Sequence, residues 1–176
     1  NKVIDSIYET QTLKNGPKIA VIGGGTGMSM LLRGLKAYTS NLTAIITVAD
    51  DGGSSGRLRK DLNILPPGDI RACISALASA EPLVAELFEY RFESSNEELA
   101  GHSLGNLLIA GMAEITGSME SGIQAISRVL DVRGTILPST LEDIKISAFF
   151  LSLFAIIASS VGKYSPGIII NHTIGS

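Results

Sequence analysis

The sequence predicts an α/β fold, in which a parallel sheet lies between layers of flanking helices. Three observations carry that expectation. Two short β-branched runs, 18–22 (KIAVI) and 42–48 (LTAIITV), each lead directly into a glycine-rich loop. Between them, 28–38 places Met28, Leu31, Leu32 and Leu35 at helical spacing, with Arg33 and Lys36 on the other side. Strand, glycine turn, helix, strand is how a parallel sheet begins, because parallel neighbours need a crossover.

The elements follow in order. A short helix is expected over 55–62, ended by 63–67. Asp69 reads as the N-cap of a helix over 70–78, and Pro82 opens another that runs to Tyr90. Residues 92–99 are polar and loop-like. Helices are expected over 103–116 and 119–130, and strands over 132–137 and 168–170. The polar stretch 9–16 reads as a linker into a domain spanning 18–139, and 140–176 reads as a divergent or truncated tail. Residues 146–162 carry no charge and are bracketed by Lys145 and Lys163. That run is at the short edge of the roughly 20 residues a membrane helix needs, so both a soluble core and membrane association are open for it.

Composition bounds the class. The chain has 176 residues, 45% hydrophobic and 18% charged, which suits one globular domain with a real core. A net charge of −3 gives no electrostatic footprint for nucleic acid. It does not oppose a small anion, since loop and helix dipoles bind phosphate in acidic proteins. Cys73 is the single cysteine, set among Ala72, Ile74, Ala76 and Leu77, and is expected to be a small buried residue. The chain begins with Asn1 and shows no apolar leader over 1–16, so it is expected to be a trimmed or partial chain without a signal peptide.

Four motifs carry the chemistry. In GGGTG, Gly24, Gly25, Thr26 and Gly27 permit a tight turn and close approach of backbone to a phosphate at a helix N-terminus. The string is neither a dinucleotide fingerprint, because Met28 stands at the third glycine position, nor a Walker A loop. In DDGGSSG, Asp50 and Asp51 are candidate ligands for a hard cation such as Mg²⁺, or acceptors for sugar hydroxyls. Gly52, Gly53, Ser54 and Ser55 suit an anion, with Arg57 and Arg59 placed to clamp a diphosphate. In PPGDIR, Arg71 in a first helical turn asks for an anion or for Asp69 as partner. In each case a ligand-free structural turn is the plain alternative.

The fourth string, GHSLG at 101–105, matches the G-x-S-x-G nucleophile elbow. An apolar strand should feed such a serine, yet SSNEELA precedes it, and only His172 lies downstream as a base. A serine hydrolase is therefore disfavoured. A helix N-terminus is preferred, with His102, Ser103 and Asn106 presenting polar groups to the same cleft.

Together, VIGGGTG, LLRGL, TVADDGGSSGRLR, PPGDIR, FEYRF and GHSLGNLLI resemble the YvcK/CofD-like family, and the YvcK branch of gluconeogenesis factors most. The resemblance spans about 18–139. It implies a Rossmann-like fold and a cytoplasmic bacterial protein tied to gluconeogenic growth, cell shape and wall synthesis. It implies a regulatory protein that binds UDP-sugars such as UDP-N-acetylglucosamine rather than a redox cofactor. The related branch, 2-phospho-L-lactate transferase, uses a nucleotide-linked donor and Mg²⁺, so a transferase is the alternative. On this pattern Gly24 to Gly27 and Asp50 to Ser55 line the nucleotide cleft, with Asp69, Arg71, His102 and Asn106 around it. A homo-oligomer is compatible with all of this. The DGT-like and GES-like strings expected after Ser139 are missing from 141–176, so the fold is expected to be incomplete.

Overall fold

The computed structural model describes residues 10–48, 53–80, 82–93 and 99–140, together with the backbone of 168–170. Its elements in chain order are β1 (Ile19–Gly23), α1 (Gly25–Leu35), β2 (Leu42–Ile46), α2 (Gly53–Leu62), α3 (Pro67–Leu77), α4 (Pro82–Glu89), α5 (Leu104–Thr116), α6 (Met119–Val129), β3 (Thr135–Pro138) and β4 (Ile168–Ile170). The strands form one parallel sheet in the order β3-β2-β1-β4. That 3-2-1-4 order is the one built by Rossmann-type sheets. The predicted α/β class and parallel sheet are therefore present.

The register explains which residues fill the core. β1 pairs with β2 from Ile19↔Leu42 to Gly23↔Ile46, and β2 pairs with β3 through Ala44↔Ile136. Side chains alternate along a strand, so Val21, Leu42, Ala44, Ile46 and Ile136 are buried while Ala20, Ile22, Thr43 and Ile45 are half-buried. The helices pack against the buried side. α3 is the hub: it touches α1, α2, α4, α5, β2 and β3. Ile70, Cys73, Ile74 and Leu77 lie along it, each almost fully buried. Phe88 is the one buried residue of α4, and burying a ring of that size contributes about 2–3 kcal/mol.

Several boundaries differ from the expectations, each for a local reason. α1 begins at Gly25 rather than Met28, because the glycines themselves enter the first turn. α3 begins at Pro67, with Pro66 in extended backbone before it. Proline at the first helical position lacks only an amide that would be unpaired anyway. Asp69 is consequently the third residue of the helix and not its N-cap. Ser103 does cap α5: its Oγ accepts from the Asn106 amide at 3.3 Å. Residues 10–14, inside the stretch expected to be a linker, are helical, and Leu13 is buried. The uncharged run 146–162 lies outside the described residues. Among those described, no helix is long and apolar enough to cross a membrane.

Thr39 joins three elements below the sheet. It is fully buried, its Oγ1 donates to the Pro17 carbonyl at 2.8 Å, and it accepts from the Asn41 amide at 3.0 Å. Thr39→Val keeps the shape but removes both hydrogen bonds. It is expected to cost about 1–2 kcal/mol, read as a lower urea midpoint with unchanged slope.

Candidate functional site

The carboxyl end of β1 opens directly into a turn, and β2 ends level with it. At the β1 end, Gly24 is pressed between two neighbours. A Cβ there would lie 2.4 Å from Thr47 Oγ1 and 2.8 Å from Asp69 Oδ2. Only glycine leaves that room. Gly25 follows with φ +68°, a left-handed value that L side chains rarely adopt. At the β2 end the Thr47 amide donates to the Gly23 carbonyl at 2.8 Å, which locks the two strand ends together.

At these strand ends lies an open cleft of about 470 Å³. The first turns of four helices face it. Gly25 and Thr26 come from α1, Gly53, Ser54 and Ser55 from α2, Gly68 and Asp69 from α3, and Asn106 from α5. Unpaired amides give a helix start roughly half a positive charge; at α5 the Leu104 and Asn106 amides are taken by the Tyr90 carbonyl and Ser103 Oγ, so the field that favours an anion comes mainly from the other three. Arg33, Arg71 and Arg91 add full positive charges to the walls, with Asp69 and Glu89 as counter-charges.

Arg71 and Glu89 pair through Nη1 and Oε2, and Ser75 Oγ donates to the other Glu89 oxygen. Of the partners expected for Arg71, an anion or Asp69, the pairing seen here is with an anionic carboxylate from α4. The pair sits where α5 comes closest. A Cβ on Gly105 would meet the Phe88 carbonyl at 2.4 Å and Arg71 Cδ at 3.0 Å. Arg71 Nε and Asn106 Oδ1 are both buried without a hydrogen-bond partner. A donor and an acceptor left this way cost about 1–3 kcal/mol each. Both residues line the cleft, although these two atoms are themselves closed off from it and meet a ligand only once the side chains turn.

Behind the cleft wall, Ser54 Oγ and His102 Nδ1 are 2.7 Å apart, and Asn106 Nδ2 donates to the same oxygen at 3.4 Å. His102 is buried, which lowers its pKa below the usual histidine value. Arg57 and Arg91 push the same way, and Asp61 opposes them. The imidazole is thus neutral at pH 7.

The predicted site residues sort clearly. Gly25, Thr26, Gly53, Ser54, Ser55, Asp69, Arg71 and Asn106 share the cleft. Gly24 shapes its floor, and Gly27 continues into α1. Asp50, Asp51 and Gly52 lie outside the described residues, and with them the expected Mg²⁺ ligands. Arg57 donates to the Ala100 carbonyl, and Arg59 is buried in α2, so neither takes the clamp position expected of it. Ser103 is fully buried as the α5 cap. No described strand leads into it, and His102 bonds Ser54 instead, so the nucleophile-elbow geometry is absent. Sequence reasoning missed Glu89, Arg91 and Arg33. The first two stand within the FEYRF string, to which no role was attached. Among the described residues, no group of three His, Cys, Asp or Glu side chains is placed to hold a metal.

Comparison with known proteins gives a consistent relationship. Residues 19–153 match the family model described as 2-phospho-L-lactate transferase CofD. A putative gluconeogenesis factor of Nostoc sp. strain PCC 7120 is 56% identical over 147 residues, covering 84% of this chain and 32% of that protein. The gluconeogenesis factor of Bacillus subtilis strain 168 is 58% identical over 123 residues, covering 70% of this chain and 38% of its own. A crystal structure of a Bacillus halodurans protein superposes with a TM-score of 0.68 at 58% identity, covering 71% of this chain and 40% of that one. The chain thus spans less than half the length of each.

Two outcomes test this geometry. Gly24→Ala is expected to destabilise the chain and disturb the cleft, seen as a lower melting temperature and shifted amide resonances at Thr47 and Asp69. Cys73 is 1% exposed, and burial, with Asp69 nearby, raises its pKa to about 12. Thiol reagents are therefore expected to leave the folded protein unmodified at pH 8 and to label it after unfolding.

Proposed function

We propose a binding role from one premise: the chain belongs to the CofD family, and its near relatives are gluconeogenesis factors. The role is to bind a nucleotide-sugar diphosphate, UDP-N-acetylglucosamine or a close analogue, in the cleft above β1 and β2. The observation that carries it is the meeting of four helix N-termini with Arg33, Arg71 and Arg91. A diphosphate offers the negative charge and the several acceptor oxygens that such a set of donors requires. Ligands of open α/β sheets bind at the carboxyl ends of the strands, which is where this cleft lies. The uridine and the acetylated sugar come from the family resemblance.

In this reading the protein acts as a regulatory sensor of carbon supply and wall synthesis in the cytoplasm. Arg71, oriented by Glu89, donates to a phosphate oxygen, and Asn106 Oδ1 accepts from a ligand hydroxyl or amide. Mg²⁺ belongs to the proposal as the ion that Asp50 and Asp51 would hold against the diphosphate. A second reading follows from the family model's own description: a transferase that uses a nucleotide-linked phospholactate donor.

Thermal unfolding with UDP-N-acetylglucosamine tests the first reading. Ligand at ~100 times its dissociation constant is expected to stabilise by about 2.7 kcal/mol. Arg71→Ala should weaken binding roughly tenfold or more, the scale of a lost charged hydrogen bond. No stabilisation of the parent protein would contradict the proposal. Incubation with the phospholactate donor, a deazaflavin acceptor and Mg²⁺ separates the second reading, since product formation excludes a role in binding alone.

A further inference from the structure

Ser54 stands in the first turn of α2 and lines the cleft, while the nearest polar partner of its hydroxyl lies behind that wall. His102 Nδ1 is 2.7 Å away and His102 is 5% exposed. Asn106 Nδ2 donates to the same oxygen at 3.4 Å. A hydroxyl has one proton to give. With a neutral imidazole that carries its proton on Nε2, the tautomer on which the inference rests, Nδ1 accepts that proton, and Ser54 turns only lone pairs toward the cleft. Lone pairs repel a phosphate oxygen. With a protonated imidazole the direction reverses. Nδ1–H and Asn106 Nδ2 both donate to Ser54 Oγ, and the hydroxyl proton is released to point into the cleft.

We propose that Ser54 and His102 form a positioning pair, in which the imidazole sets the direction of the Ser54 hydroxyl and a diphosphate enters together with one proton taken up by His102. The inference rests on the nucleotide-sugar reading and adds to it a proton-linked affinity. The charged groups that face His102 are Arg57 and Asp61 from α2 and Arg91 from the segment after α4. The two arginines and burial keep the ring neutral in the free chain. A bound diphosphate brings negative charge to the other side of Ser54 and offsets the arginines, so the ring takes a proton more readily in the complex. A group whose pKa is higher in the complex tightens binding as pH falls through that value, and the gain is complete below the free value. Each unit of rise is tenfold in affinity. The diphosphate diester of a UDP-sugar has no titrating group near neutral pH, so the slope belongs to the protein.

Calorimetric titration of the full chain with UDP-N-acetylglucosamine, at about pH 5.5 and about pH 7.5, tests this within the range where histidine changes charge. Binding is expected about tenfold tighter at the lower pH, with net proton uptake seen as a buffer-dependent heat. His102→Gln and Ser54→Ala should each flatten the profile and abolish the uptake. A flat parent profile without uptake overturns the inference and leaves the nucleotide-sugar reading standing. Retention of the full slope in either variant also overturns it. No binding at any pH overturns both. Should the variants not fold, nitrogen NMR of the parent decides. His102 Nδ1 is expected unprotonated in the free chain near neutral pH and protonated on saturation, and an unchanged Nδ1 signal overturns the inference.

Discussion

β1 and β2 run parallel and in step to their last residues, with Gly23 opposite Ile46 and the Thr47 amide bonded to the Gly23 carbonyl. Everything at the site depends on that shared ending. It brings the ends of the two strands to one level, and the first turns of α1 and α2 line the same cleft. It also places Thr47 against Gly24, and α3 approaches from the third side with the Asp69 carboxylate. No side chain larger than hydrogen fits between them. The glycine loop is therefore first a packing solution, and its openness to a ligand follows from that packing.

The charge distribution follows the same architecture. The chain as a whole is acidic, with a net charge of −3. The cleft nonetheless gathers three arginines and four helix starts. Glu89 does not cancel this field so much as aim it. By pairing with Arg71 Nη1 it fixes a side chain whose Nε remains buried and unbonded. Buried polar groups without partners are rare in folded chains; among the described residues Arg71 Nε and Asn106 Oδ1 belong to residues that line the cleft, and Ser127 Oγ lies elsewhere.

Local signals in the sequence were enough for much of this. The β-branched runs and the first glycine turn depend on neighbours within a few residues, and each is found where the sequence puts it, to within a turn, whereas the second glycine stretch is helical from Gly53 onward. Asp69 shows where local reading misleads. An Asp after Gly suggests a cap, but Pro67 is the better start signal, and the acid moves into the first turn. The long-range contacts carried no such signal. Arg71 meets Glu89 across 18 residues, and Ser54 meets His102 across 48. Only the packing of α3 on α4, and of α2 on α5, brings them together. FEYRF held two cleft residues in plain sight, yet no periodicity marks a side chain that faces a cavity.

The family relationship fixes the kind of fold and leaves the ligand to chemistry, since this chain covers less than half of the relatives quoted above. The central claim is that four helix N-termini converge on one diphosphate. Amide chemical-shift mapping during addition of UDP-N-acetylglucosamine tests it most directly. The account predicts that the amides of Gly25, Thr26, Ser54, Ser55, Gly68 and Asn106 move together, with one saturation curve. Shifts confined to another surface, such as the groove bounded by Leu65, Ala113 and Met119, with those six amides unmoved, would contradict it.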